Sequence, residues 1–210
     1  RAARIAPDNP AVFPLNVKVL GALRDWGPLE RICVARSQTH PDDPAVWDAL
    51  TTVAFETGRL REAMELNRRA LDCAVRDAPR LTVYAQHCLN AAEFDEAKAA
   101  LNEAEALDPL YAEMLSTQAL LLTYLGRFEE AEAYCRRSIA KDPNHVPAYR
   151  VLNHLKRGRL SETECNMLSA LSQREDLRAA DRITASFVVA DCLDANNEFD
   201  KAFAAYEFAN

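Results

Sequence analysis

Histidine and cysteine are the residue types in this chain that could do chemistry, and their spacing decides whether they can. His87 and Cys88 are adjacent, which invites a base–nucleophile pair. Adjacent residues on a helix point about 100° apart, so the two do not converge on one reacting atom as catalysis requires. His40 and His145 stand in Asp/Pro stretches, where a polar loop residue is expected, and His154 completes the set of four. Glu162, Glu164 and Cys165 cluster in sequence without a histidine at helical spacing. An exposed acidic edge beside a buried thiol is expected there, not a metal site. Five scattered glycines cannot build a phosphate-cradling loop. No catalytic, cofactor-binding or metal-ligating residue is expected in this chain.

The six cysteines, at 33, 73, 88, 135, 165 and 192, form no Cys-x-x-Cys pair. In a chain of this size and helix-forming composition they read as small buried hydrophobes, and a reducing, cytoplasmic setting is expected. The formal charge of −7 argues against nucleic acid as a partner, which calls for a basic face. Short basic clusters at Arg68-Arg69, Arg136-Arg137 and Lys156-Arg157-Gly158-Arg159 read as solvated helix faces. The longest apolar run, residues 119–125, contains Thr123 and Tyr124 and is too short to span a bilayer, so no membrane partner is expected.

Elements that would position a site emerge from internal repetition. Ala63, Ala97 and Ala131 recur at 34-residue intervals, as do Gly58, Ala92 and Gly126; Leu60, Phe94 and Phe128; and Ala70, Ala104 and Ser138. Pro109 and Pro143 keep the same interval. Each series has a physical reason. The Gly or Ala falls where a helix ends, and glycine there takes the left-handed conformation that closes it. The Leu or Phe two residues later opens the next apolar stripe, and the alanine inside that helix lets two helices approach. Pro after Asp ends one helix and suits the first turn of the next, with Asp placed to cap it.

Upstream, residues 11–24 and 29–37 read as helices separated by a Trp26-Gly27-Pro28 turn. Downstream, a unit shortened by about two residues comprises helices at 146–156 and 162–171. A polar stretch at 172–176 then precedes helices at 178–195 and 198–210. The predicted pairs are 10–43, 44–77, 78–111, 112–143, 144–176 and 177–210, forming one domain. Residues 1–7 read as the tail of a second helix whose beginning precedes Arg1, so the chain reads as a piece of a longer protein.

With Trp47-x-x-Leu50 opening one unit and Ala63 following in its second helix, the segment 44–143 resembles the tetratricopeptide repeat family. The resemblance implies an all-α, right-handed α–α superhelical solenoid whose concave groove holds a peptide or protein partner. Carried onto this chain, the groove positions are Asp48, Thr52, Phe55 and Glu56; Thr82, Gln86, Leu89 and Asn90; and Glu113, Ser116, Leu120 and Tyr124. Some relatives grip C-terminal carboxylates with a Lys/Asn/Arg set. Here Asp48, Glu56 and Glu113 stand among the candidates, so a basic or neutral peptide is the expected ligand. A homodimer is a further possibility.

The C-terminal segment has a second resemblance. Leu177-Arg178, Phe187, Asp194, the Phe199-Asp200-Lys201-Ala202-Phe203 run and Ala209-Asn210 are similar to the last repeat before the catalytic domain of bacterial repeat-linked sulfotransferases. That resemblance implies an accessory role, presenting substrate or dimerising the enzyme. The donor, 3′-phosphoadenylyl sulfate, would bind beyond residue 210 and not in this chain.

Overall fold

The computed structural model describes residues 12–209; the expected repeat tail at 1–7, the start of the 10–43 pair and Asn210 lie outside them. Among the described residues there are twelve α-helices and no strand. In chain order they are α1 (Val12–Ala22), α2 (Trp26–Thr39), α3 (Pro44–Glu56), α4 (Leu60–Asp72), α5 (Ala78–Asn90) and α6 (Phe94–Leu107). They continue with α7 (Ala112–Tyr124), α8 (Phe128–Lys141), α9 (Val146–Lys156), α10 (Glu162–Ser172), α11 (Ala179–Ala195) and α12 (Phe199–Ala209). The chain forms two compact units, one reaching to Ala97 and the other beginning at Lys98. The architecture is an all-α helical repeat, in which odd-numbered helices are the first of each pair and even-numbered helices the second.

The turn inside each pair follows one rule. After α3, Gly58 takes φ +78° while Gly58 N–H donates to Phe55 O and Arg59 N–H to Ala54 O. This double closure satisfies carbonyls left over at the helix end. Ala92 (φ +60°) and Gly126 (φ +74°) do the same after α5 and α7, and Asn197 (φ +63°) after α11. Arg24 (φ +53°) closes α1 in the same way, with Asp25 N–H on Leu20 O at 2.9 Å. The 34-residue series therefore begins at residue 24. The expected turn at Trp26-Gly27-Pro28 is corrected: those residues form the first turn of α2, where proline's missing donor leaves no helical bond unmade.

Entry into the first helices varies. Asp43 caps α3 by accepting from Ala45 N–H, and Asp77 caps α5 by accepting from Arg80 N–H. Asp108 and Asp142 act differently from the expected helix caps. They accept from Leu110 and Asn144 N–H, two residues on, folding the loop so that α7 and α9 begin three residues after the prolines.

Packing explains the alanine series. Ala63, Ala97 and Ala131 have no exposed surface, and a larger side chain there would separate the helices of a pair. Ser138 replaces alanine without cost because its buried hydroxyl donates to Ala112 O at 2.8 Å. In the unit ending at Ala97, α3 packs on α4, α2 on α3 and α4 on α5. Here Trp47 donates from its indole to Pro41 O at 2.7 Å and carries Arg69 over its ring. In the unit beginning at Lys98, α7 packs on α8, α9 on α7, α8 and α11, and α11 on α10 and α12. Tyr149 stands three repeats after Trp47 and makes the matching bond, its hydroxyl donating to Pro143 O at 3.1 Å. Leu115, Leu121, Leu152, Leu168 and Leu171 are almost wholly buried there, each stabilising by about 1.5–3 kcal/mol. Ion pairs one repeat apart, such as Arg24–Glu56 and Arg61–Glu93, are solvent-exposed and contribute on the order of 0–1 kcal/mol each. Burial, not surface charge, holds the pairs together.

Candidate functional site

The first helices of the unit beginning at Lys98 build a trough. Each buries one face against its neighbours, which leaves residues three and four apart on the opposite face. From α7 come Leu120, Thr123 and Tyr124; from α9, Arg150, Val151, Asn153 and His154; from α11, Thr184, Phe187, Val188 and Asp191. Phe128, at the start of α8, closes one end, and the enclosed space is about 710 Å³. A second opening of about 660 Å³ at the C-terminal ends of α9 and α11 shares Phe128, Asn153, His154 and Asp191 and adds Leu155, Arg157, Gly158, Asp194 and Ala195. The walls carry Tyr124, 56% exposed, and Phe128, 58% exposed, a large aromatic surface left in water.

A polar network fixes the floor. Asn153, buried on α9, donates from Nδ2 to Asp191 Oδ2 at 2.8 Å, and the Tyr206 hydroxyl donates to Asp191 Oδ1 at 2.6 Å. Both oxygens of Asp191 thus receive protein donors. The bond to that carboxylate, aided by burial, pushes the Tyr206 hydroxyl up to about 12, so it remains a donor at neutral pH. Phe187 stands tilted against the Tyr206 ring with centroids 6.2 Å apart. Gly158 lets α9 end against α11: a Cβ there would lie 2.8 Å from Asp191 O and 2.9 Å from Ala195 Cβ. Arg150 and His154 are exposed, and neither side chain has an ion pair or hydrogen bond among the described residues.

Of the positions expected to line a groove, Leu120 and Tyr124 do so. Three others are covered by the fold. Thr82 and Ser116 occupy the same register position as Asp48 but are buried, as is Leu89. The Thr82 hydroxyl donates to Ala78 O, and Ser116 Oγ lies 2.9 Å from His145 Nε2. Neighbouring helices cover these side chains, which alignment by register alone does not reveal. In the unit ending at Ala97, Thr52, Phe55, Glu56 and Asn90 are exposed and Gln86 is half-buried. Phe55 meets His87 edge-on with centroids 5.4 Å apart. The acidic members are already matched: Asp48 pairs with Arg80 at 3.3 Å and Glu56 with Arg24 at 2.9 Å. In the other unit Glu113 lies 3.6 Å from His145.

Sequence reasoning missed Arg150 and His154, although a signal was present: they follow Ser116 and Leu120 by 34 residues. His145 stands in the loop before α9 as expected, yet its side chain is only 10% exposed, and burial lowers its pKa against the opposing pull of Glu113. Glu164 is no free acidic edge, since it closes a capping box with Ser161 and pairs with Arg136. Cys88 is buried and its thiol is pushed up to about 12 by desolvation, which makes it a poor nucleophile. Among the described residues no three His, Cys, Asp or Glu side chains are placed to hold a metal, and no helix is long and apolar enough to cross a membrane.

The helix pairs and their shared turn define a helical repeat protein. The family model of the tetratricopeptide repeat matches residues 85–146. No curated protein matches the chain. Among solved structures, the chain is similar to the APC/C hetero-tetramer Cut9–Hcn1, at 17% identity and TM-score 0.73, over 99% of this chain and 41% of that one. It is similar to PilW, described as a widely conserved type IV pilus biogenesis factor, at 20% identity and TM-score 0.68, over 93% and 89% of the two chains. It is also similar to YrrB, described as a TPR protein with an unusual peptide-binding site, at 13% identity and TM-score 0.60, over 98% and 96%. At these identities the likeness shows the fold. The repeat match is confined to residues 85–146, and the neighbours share the helical-repeat fold.

Proposed function

We propose that this chain is a protein-interaction module that holds an extended segment of a partner in the trough of α7, α9 and α11. One observation carries the reading: successive first helices present Leu120, Tyr124, Phe187, Arg150 and His154 around one space of about 710 Å³. Exposed aromatic surface beside convergent polar groups is the usual composition of a binding cleft. The trough suits a peptide, because its apolar walls accept side chains while Arg150, His154 and Thr184 supply hydrogen bonds. YrrB, a TPR protein with an unusual peptide-binding site, is consistent with this use of the fold. The likeness of the last helix pair to repeats beside sulfotransferase domains is one of sequence alone.

Affinity purification with the wild type and with Tyr124→Ala/Phe187→Ala tests the proposal. Partners recovered with the wild type are expected to be lost with the double variant, while its circular dichroism melt keeps a single helical transition. Equal recovery of the same partners by a folded double variant would refute the trough as the site.

A further inference from the structure

We propose, resting on the reading of the trough as a peptide site, that its partner segment is acidic and carries two carboxylate side chains about three residues apart beside a large apolar residue. This reverses the expectation of a basic or neutral ligand. That expectation came from Asp48, Glu56 and Glu113, and the structure gives each a cationic or histidine neighbour within its own unit.

Two arginines beside the trough are without an ion pair among the described residues. Most arginines of this unit are already engaged: Arg127 with Glu130, Arg136 with Glu164, Arg137 with Glu105, Arg174 with Asp176 and Arg178 with Asp181. Arg150 and Arg157 are exposed and have no ion pair among the described residues. Arg150 lines the trough and Arg157 the adjoining opening. Arg150 and exposed His154 share one face of α9, and Arg157, with φ +53°, is the residue that follows the end of that helix, seven residues beyond Arg150. That is roughly 10 Å along the helix axis, the span of about three residues of extended chain. Two carboxylates at that interval would meet both guanidinium groups, which favour carboxylate through paired donors. Asp191 and Asp194 also line these openings. Asp191 is held by Asn153 and Tyr206, and Asp194 makes no ion pair with Arg157 among the described residues. Tyr124, Phe128 and Phe187 give the apolar residue of the ligand a wall to cover.

A random dodecapeptide library displayed on phage, selected on the full chain, tests this. Enriched peptides are expected to carry Asp or Glu at a spacing of about three, with an aromatic or aliphatic neighbour. A fluorescein-labelled synthetic copy should bind Arg150→Glu/Arg157→Glu at least tenfold more weakly by anisotropy, and selection on that variant should favour Lys and Arg. Arg150→Gln, which removes the charge at an exposed position without reversing it, should give a smaller loss in the same direction. Enriched peptides that are neutral or basic, yet still lose binding to Tyr124→Ala/Phe187→Ala, would overturn the acidic ligand while leaving the trough as the site. Peptides indifferent to both double variants, or no enrichment on the wild type, would overturn the trough reading together with this one.

Discussion

Ala92 stands at φ +60° in the position where Gly58 and Gly126 close α3 and α7. A side chain there carries the left-handed penalty of about 1–2 kcal/mol, only partly offset by glycine's greater freedom in the unfolded chain. Ala92→Gly is therefore expected to stabilise by about 1 kcal/mol, raising the melting temperature by roughly 2–4 °C. A lower melting temperature would mean that the turn is not under this strain. His87 gives a pH-dependent counterpart. Its Nδ1 is buried without a partner, and desolvation holds its pKa below the ordinary 6.5. The unfolded chain takes up a proton first as pH falls. This histidine's contribution is thus complete above about 6.5 and declines below that value until the folded pKa is reached. His87→Leu should lose less stability than the wild type between about pH 7 and 5 in denaturant titrations. Equal losses would show that His87 is solvated. At this scale the sequence was readable where one residue type has one purpose, as at Gly58 and Gly126. It was opaque where an unsuited type fills the position, as at Arg24, because the closing hydrogen bonds impose a conformation that the side chain does not announce.

Helix pairs were readable from the alanine and Leu/Phe series, since small buried positions and apolar stripes recur with the period of the pair. The turn before α2 was not, because Gly27 and Pro28 signal a loop in sequence but fit a first helical turn equally well. Two substitutions test the packing. Ala97→Trp overfills a contact with no exposed surface and should destabilise by about 2–3 kcal/mol in a thermal melt; an unchanged melt would mean α6 is misplaced. Gly158→Ala combines a left-handed backbone at φ +79° with contacts under 3 Å to Asp191 O and Ala195 Cβ. It should destabilise by at least about 2 kcal/mol and weaken peptide binding by shifting α11 away from α9. Wild-type stability and affinity would show that α9 and α11 do not meet so closely. The trough was half legible for a related reason. Leu120 and Tyr124 followed from register, but which register positions remain open depends on what covers them, and that separates buried Thr82 and Ser116 from exposed Arg150.

At the scale of the molecule, a chain of formal charge −7 places two arginines without ion pairs among the described residues, Arg150 on α9 and Arg157 just after it, beside aromatic walls. The two compact units divide within α6, and the trough belongs wholly to the one that begins at Lys98. The account stands or falls on where a bound peptide touches the chain. Hydrogen–deuterium exchange of the full chain, with and without a synthetic dodecapeptide selected on it, reads this directly. Slowed exchange is expected in α7, α9 and α11, with α1 to α4 unchanged. Protection confined to α1 to α5, with none in α9 or α11, would contradict it.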